Sequence, residues 1–373
     1  MTGSHPPSIG VEEEYFLVDP STRDIVPVGA RVVERAAAVV GGLVAGEFAT
    51  HQVEGRTPPC TGLAELHDEI ARVRAALVAA AREEGVRLCA SGTPVVEGHG
   101  PARPGEHPRY QAGLAQYRAM LEDLSVSALH VHVHLPDREL AVLTGNHLRP
   151  WLPLLVALAA NSPFHRGRDT GYASWRSVIR GRFPCLGPPP YAASLEDHRR
   201  LAVAVAETEA MLEPNMPFWD LRPHPRLPTL EVRCMDVSPA IEDTVALAGL
   251  VRALVVLFAE RAAQGDPGPR ADAEVLRAAC WRAARDGWTG RGADPRSGRM
   301  LPVAEQARRS VGWARPLLEG YGDLPRVSAF LRRLADSGGG AQRQRSWARA
   351  GGGLADVVDR LVEATERGGP GTP

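Results

Sequence analysis

Apolar and polar residues change their spacing several times along this chain, and each change predicts an element. Residues 9–18 are mostly apolar around three glutamates and stop at Asp19-Pro20, which predicts a strand closed by a turn. Residues 64–84 carry Leu66, Ile70, Val73 and Leu77 at helical spacing, so a helix follows. Residues 87–92 and the alternating run 128–135 predict further strands, and the apolar residues 148–160 a buried helix. Residues 161–191 show no period. Their wealth of Gly, Pro, Arg and aromatics predicts a long irregular segment of the kind that serves as a lid or binding loop. Beyond it, residues 195–212 read as a helix, 229–237 as a strand and 242–263 as a long helix, with helices dominating afterwards. Glycines at 338–340 and 351–353 predict hinges around an arginine-rich loop before a last amphipathic helix at 354–367, and residues 368–373 are expected to be disordered. No repeat of fixed period is present. Strands and helices do not alternate regularly, which argues against a TIM barrel or doubly wound sheet and for an α+β fold with an antiparallel sheet.

Composition narrows the chemistry. A chain of 373 residues, 44% of them hydrophobic, can bury a sizeable core. Its net charge of -1 gives no global field for nucleic acid or an anionic membrane, so the expected partner is a small molecule. The sequence contains no lysine, so all 43 basic residues are arginine. That excludes a Walker A loop, a pyridoxal Schiff base and a protein kinase, each of which requires a lysine. Five scattered cysteines without a CxxC pair fit a reduced cytoplasm. Residues 1–10 lack a basic or apolar leader pattern and the apolar runs are too short to span a bilayer, so a cytoplasmic protein without membrane association is expected.

The polar residues inside apolar strands are the candidates for function. In a strand, side chains alternate faces, so Glu12 and Glu14 share one side and Glu13 points to the other. Two carboxylates in an apolar strand are costly to bury, and a magnesium ion would relieve that cost; the bland alternative is an exposed acidic edge. Glu231 and Arg233 share a face of the strand 229–237, as a further metal ligand beside a phosphate-binding guanidinium or as a plain ion pair. His130, His132 and His134 alternate along another strand. They read as zinc ligands of a hydrolase, as phosphate or substrate contacts in a magnesium site, or as a polar face without function. Glu54 offers a further carboxylate; Arg166, Arg168, Arg176, Arg180 and Arg182, with Arg222, read by default as solvated loop arginines, of which some must bind an anionic ligand in a chain without lysine.

Taken in order, Gly10 to Pro20, Gln52-Val-Glu54, His130-Val-His132-Val, the run from Leu148 to Pro153, Ala160 to Phe164, Arg168 to Ser174, Trp219 to Pro223 and Thr229 to Arg233 resemble the type 2 glutamate-cysteine ligase family. These are bacterial carboxylate-amine ligases of the glutamine synthetase and guanido kinase fold group. The resemblance implies a glutamine synthetase catalytic-domain-like fold, an antiparallel sheet funnel packed with helices, formed by residues 8–367 as one catalytic domain that is helical from about residue 240. It implies ATP and Mg2+ held by Glu12, Glu14 and Glu231, and Glu54 as an additional acidic residue. His130 and His132 become nucleotide or substrate contacts, Arg233 the phosphate-binding arginine, and Arg176 and Arg222 substrate contacts. The implied reaction is transfer of the γ-phosphoryl group to a carboxylate and attack of an amine on the acyl phosphate, with glutamate and cysteine the default pair and a homodimer the default assembly. Three departures stand out: His134 where the family has glycine, Gly92-Thr93-Pro94 without the histidine of GTHP, and His224 where a serine follows Arg-Pro. They keep open a family member that binds nucleotide without ligation. Glu13, on the opposite face, is expected to be structural.

Overall fold

The computed structural model describes residues 5–96, 104–105, 107–122, 124–211 and 218–367, so the expected disordered tail lies outside the described residues. Up to residue 236 its strands are β1 Ile9–Val18, β2 Val44–Gly46, β3 Gln52–Arg56, β4 Arg87–Cys89, β5 Ala128–His134, β6 Phe164–His165, β7 Arg168–Asp169, β8 Leu221–Pro223 and β9 Thr229–Asp236, and a separate hairpin joins Arg291–Ala293 to Met300–Pro302. Among the described residues, β2, β3, β1, β5, β9 and β8 lie side by side in that order as one antiparallel sheet, with β4 paired to the end of β1. The α+β class and antiparallel sheet expected from the pattern are therefore present.

One face of this sheet is the core. Val11, Leu129, Val131, Val133, Leu230 and Val232 pack with the helix Ile241–Ala263, which is apolar on nearly every side and buried for most of its length. Tyr15 and Val53 pack with the inner face of the helix Leu63–Glu83. Each fully buried Val or Leu contributes ~1.5–3 kcal/mol, which fixes strand register, because a slip of one residue would turn the whole apolar set outward. Gly55 shows how close the layers are: a Cβ there would stand 2.8 Å from Val73 Cγ1.

Several boundaries differ from the pattern-based expectation for identifiable reasons. The apolar run 148–160 is interrupted, because Pro150 cannot donate to a helical ladder. A helix Arg138–Leu148, capped by Asp137, ends in a 3-10 turn Arg149–Trp151, and a second helix runs Leu152–Ala159. The segment 161–191 contains the β6–β7 hairpin and a helix Trp175–Arg180 whose N-terminus is capped by Ser174. The arginine-rich stretch between the glycine clusters is a helix, Gly340–Trp347, and only Gly338, Gly351 and Gly353 adopt the positive φ of hinge positions. No helix among the described residues is long and apolar enough to cross a membrane.

Candidate active site

The other face of the sheet is polar. Cross-strand register sets Glu14 opposite Glu54, Glu12 opposite both Arg56 and His130, His132 opposite Glu231, and Glu231 opposite Arg222. Residues from five strands thus converge on one surface. This surface floors a cavity of about 350 Å³, walled by Glu47 and Phe48 after β2, by Arg109, Tyr110 and Tyr117 of the helix Pro108–Tyr117, and by Arg180, Phe183 and Leu186 of the segment 161–191. That segment therefore closes the cavity as expected of a lid, although of its five arginines only Arg180 lines the space.

Glu13 is on the opposite face, as strand alternation requires. Its carboxylate accepts hydrogen bonds from Arg74 Nε and Nη2, Tyr15 Oη and Thr244 Oγ1. Arg74 is completed by the carbonyls of Ser238 and Pro239. This buried pair is fully satisfied and has no access to the cavity.

The cavity face is organised differently. His130 Nδ1 lies 2.9 Å from Glu12 Oε2. Burial, then the charge of Arg233, push the His130 pKa down to about 3, so the ring is neutral at pH 7 and Nδ1–H donates to the carboxylate. Burial raises the pKa of Glu12, but His130 and His132 outweigh it and hold this carboxyl far below the usual range. Glu231 receives Arg222 Nε at 2.8 Å and a hydrogen bond from Arg233 Nη1. Burial opposes its ionisation, and the two guanidiniums more than reverse the effect. Glu14 behaves oppositely: burial and Glu47 push it up to about 7, against the pull of Arg176, the Ala128 amide and Arg233. Glu54 is also raised, by burial, Glu47 and Glu12, although Arg56 donates to it. The floor thus holds ionised Glu12 and Glu231 beside a proton-retaining cluster around Glu14 and Glu54.

A divalent cation fits this donor set. Among the described residues, three groups each offer three ligand atoms within 4.8 Å of one another: Glu12, His132 and Glu231; Glu12, Glu54 and His130; Glu14, Glu47 and Glu54. The Nε2 atoms of His130 and His132 are buried without a hydrogen-bond partner, which is the condition of unused ligands. Seven-residue spacing separates Glu47 from Glu54, but Glu47 lies outside any strand, so no periodicity could have singled it out.

The structure sets several of the sequence candidates apart from the cavity. Arg176, expected among the substrate contacts, is not part of the cavity lining: it is fully buried behind β9, donating to the carbonyls of Arg233 and Cys234. The three histidines do not form a zinc site, because His134 is exposed at the strand end and joins none of the ligand groups. Gly92-Thr93-Pro94 does not line the cavity; Gly92 packs on Asp236 and Thr93 Oγ1 donates to the Phe164 carbonyl. Of the departures, only His224 enters the site, its ring 5.4 Å from that of His132 and its Nδ1 accepting from the amides of Arg226 and Leu227. Sequence reasoning also missed Arg56, Arg109 and Tyr110, which lie in no motif but line the space.

Comparison with known proteins finds relatives along nearly the whole chain. The profile of glutamate-cysteine ligase family 2 matches residues 8–364. A protein of Saccharopolyspora erythraea, named provisionally as glutamate-cysteine ligase 2-1, is 41% identical over 361 residues, 96% of this chain and 94% of that one. A similarly named protein of Salinispora arenicola is 42% identical over 360 residues, 96% and 95% of the two chains. Among solved structures, glutamate-cysteine ligase of Francisella tularensis, in complex with AMP, superposes with a TM-score of 0.70 at 11% identity, covering 97% of this chain and 89% of that one. A bifunctional glutathione synthetase of Pasteurella multocida gives 0.67 at 16%, covering 97% of this chain and 52% of that one, so these two likenesses speak for the fold. With the family profile spanning nearly the whole chain and relatives above 40% identity along it, the protein belongs to glutamate-cysteine ligase family 2.

Proposed function

We propose that residues 8–367 form one ATP-dependent carboxylate-amine ligase unit that joins L-glutamate, the default acid, to L-cysteine or another amine. The observation that carries this reading is the juxtaposition, in one cavity, of carboxylates from three strands with the guanidiniums of Arg222 and Arg233 around Glu231. Carboxylate clusters hold metal–polyphosphate, and arginines meet the negative charge of a phosphoryl group in transfer.

Glu12, Glu14 and Glu231, with Glu54 and the Nε2 atoms of His130 and His132, would hold Mg2+, which when bound screens polyphosphate charge and polarises the γ-phosphoryl group. Magnesium suits this set because oxygen ligands dominate it. The substrate carboxylate attacks the γ-phosphorus, the bond to ADP breaks, and an acyl phosphate results. Arg233, anchored on Glu231, stabilises charge on the transferred group, and Arg222 shares that task from β8. The amine nitrogen then attacks the acyl carbon and inorganic phosphate leaves. Glu54, a further carboxylate lining the same cavity, would in its ionised form accept the proton shed by the amine. The aromatic and apolar residues Phe48, Tyr110, Phe183 and Leu186 keep water from the acyl phosphate.

A screen with ATP, Mg2+ and mixed amino acids, read by mass spectrometry for amide products and by ADP and phosphate release, tests the reading. Release that requires metal, acid and amine together supports it. No turnover across a broad panel of acids and amines contradicts it, and ATP binding without product would favour the non-catalytic alternative. A homodimer in the cytoplasm is proposed with this function, and light scattering reads its oligomeric state.

A further inference from the structure

Arg233 sits where the β5–β9 ladder is irregular. Leu129 pairs with Met235 and Val131 with Val232, so two steps along β5 face three along β9. A bulge of this kind bends its strand and re-aims a side chain, and it leaves backbone groups that need partners outside the ladder. The short helix Trp175–Arg180 supplies them. Arg176 Nη2 donates to the carbonyl of Arg233 at 3.0 Å, and Nη1 to that of Cys234 at 3.2 Å. The amide of Arg233 donates to the carbonyl of Asp220 at 2.8 Å. The carboxylate of Asp220 in turn accepts from Arg180 Nη2 at 2.7 Å. One end of the helix therefore holds the backbone of Arg233 directly, and the other end holds Asp220, whose carbonyl takes the Arg233 amide.

The helix is tied to the far end of the strand as well. Ser162 Oγ and Ser174 Oγ donate to the two oxygens of Asp236 at 2.7 Å and 2.8 Å, and the amide of Arg176 donates to Ser162 Oγ at 3.2 Å. Arg176 is itself fully buried and 3.7 Å from Asp236 Oδ1. Burying a guanidinium costs far more than burying an apolar side chain of the same size, so its use lies in what the planar fork holds. Here the fork spans two successive carbonyls of the bulge, one of them belonging to the residue that faces Glu231 across the strand surface.

We propose that Arg176 is a positioning residue for the ligase reaction. Together with Arg180 and Asp220 it clamps the β9 bulge, so that the Arg233 guanidinium stays against Glu231 at the end of the cavity where phosphoryl transfer takes place. The proposal rests on the ligase reading, and its structural half can be measured without it. The segment 161–191 acquires a second role by this account: besides walling the cavity, it sets the aim of Arg233 by holding that residue's backbone.

The test compares wild type, the Arg176 single variants R176Q and R176K, and the double variant R176K/R233Q set against R233Q. Lysine keeps the charge but lacks the fork, so it cannot hold both carbonyls in the same geometry. Hydrogen exchange should accelerate in peptides containing Arg233 in both single variants. A displacement on the order of 1 Å at a reacting group costs about a hundredfold in rate, so kcat of R176K should fall by about that factor with little change in KM for the amine. Because both residues act through one guanidinium, R176K/R233Q should turn over no more slowly than R233Q. Native-like exchange at Arg233 in R176K, or rate losses that multiply in the double variant, would overturn the proposal. Should R176Q fail to fold, R176K carries the same comparison. A wild type that ligates nothing would break the ligase reading, and the exchange result then decides the clamp by itself.

Discussion

The two faces of β1 treat neighbouring glutamates in opposite ways. On the core face, Glu13 is enclosed by Arg74, Tyr15 and Thr244 and every oxygen is matched by a donor. On the cavity face, Glu12 and Glu14 are surrounded by further carboxylates and by histidine nitrogens that have no partner. The first arrangement is complete as it stands, and the second leaves ligand atoms that a cation would engage. A buried charge that is satisfied by protein belongs to stability, whereas clustered charges left to be satisfied by something else belong to function.

The comparison can be pressed from its largest expected effect downward. Replacing the cavity-face arginine, R233Q, should lower kcat by on the order of 10²–10³ without a comparable loss of stability, as read by steady-state ADP release alongside thermal unfolding. A core-face change, R74M, leaves the Glu13 carboxylate buried without its counter-charge and should destabilise by about 3–5 kcal/mol in urea titration. The folded fraction of R74M should keep its activity. Inactive but stable R74M would break the division between faces.

A pH series sharpens it further. Glu14 is pushed up to about 7 by burial and Glu47, from an ordinary value of 4.5. Between those values the native protein retains a proton that the unfolded chain has released, so this group makes stability fall as pH rises. Without divalent cation, the unfolding midpoint of wild type should drop relative to E14Q as pH goes from 5 to 8, and saturating Mg2+ should close that gap. The smallest effect is expected at His134: exposed and outside the ligand groups, H134A should change stability by no more than about 0.5 kcal/mol and leave turnover intact.

Legibility from sequence follows the same division. Alternation in β1 separated Glu13 from its neighbours because a period of two has no slack, and the same logic joined Glu231 to Arg233. Arg176 was misplaced because a loop-rich segment has no period to say which way a side chain points; only packing against β9 shows that it faces backbone rather than cavity. Glu47 and Arg109 were missed for a related reason, since each reaches the site from a different segment through tertiary folding. The helix at Gly29–Val40 went unread although its apolar face is regular, as an alanine- and valine-rich stretch serves strand and helix alike.

The most direct test of the account sets E12Q against E13Q and measures Mg2+-dependent ATP turnover and urea unfolding on both. The account predicts a crossover: E12Q loses turnover and keeps its stability, while E13Q loses stability, because Arg74 is left buried beside a neutral amide, and keeps turnover per folded molecule. Equal loss of turnover in the two variants, with stability unchanged in both, would contradict it.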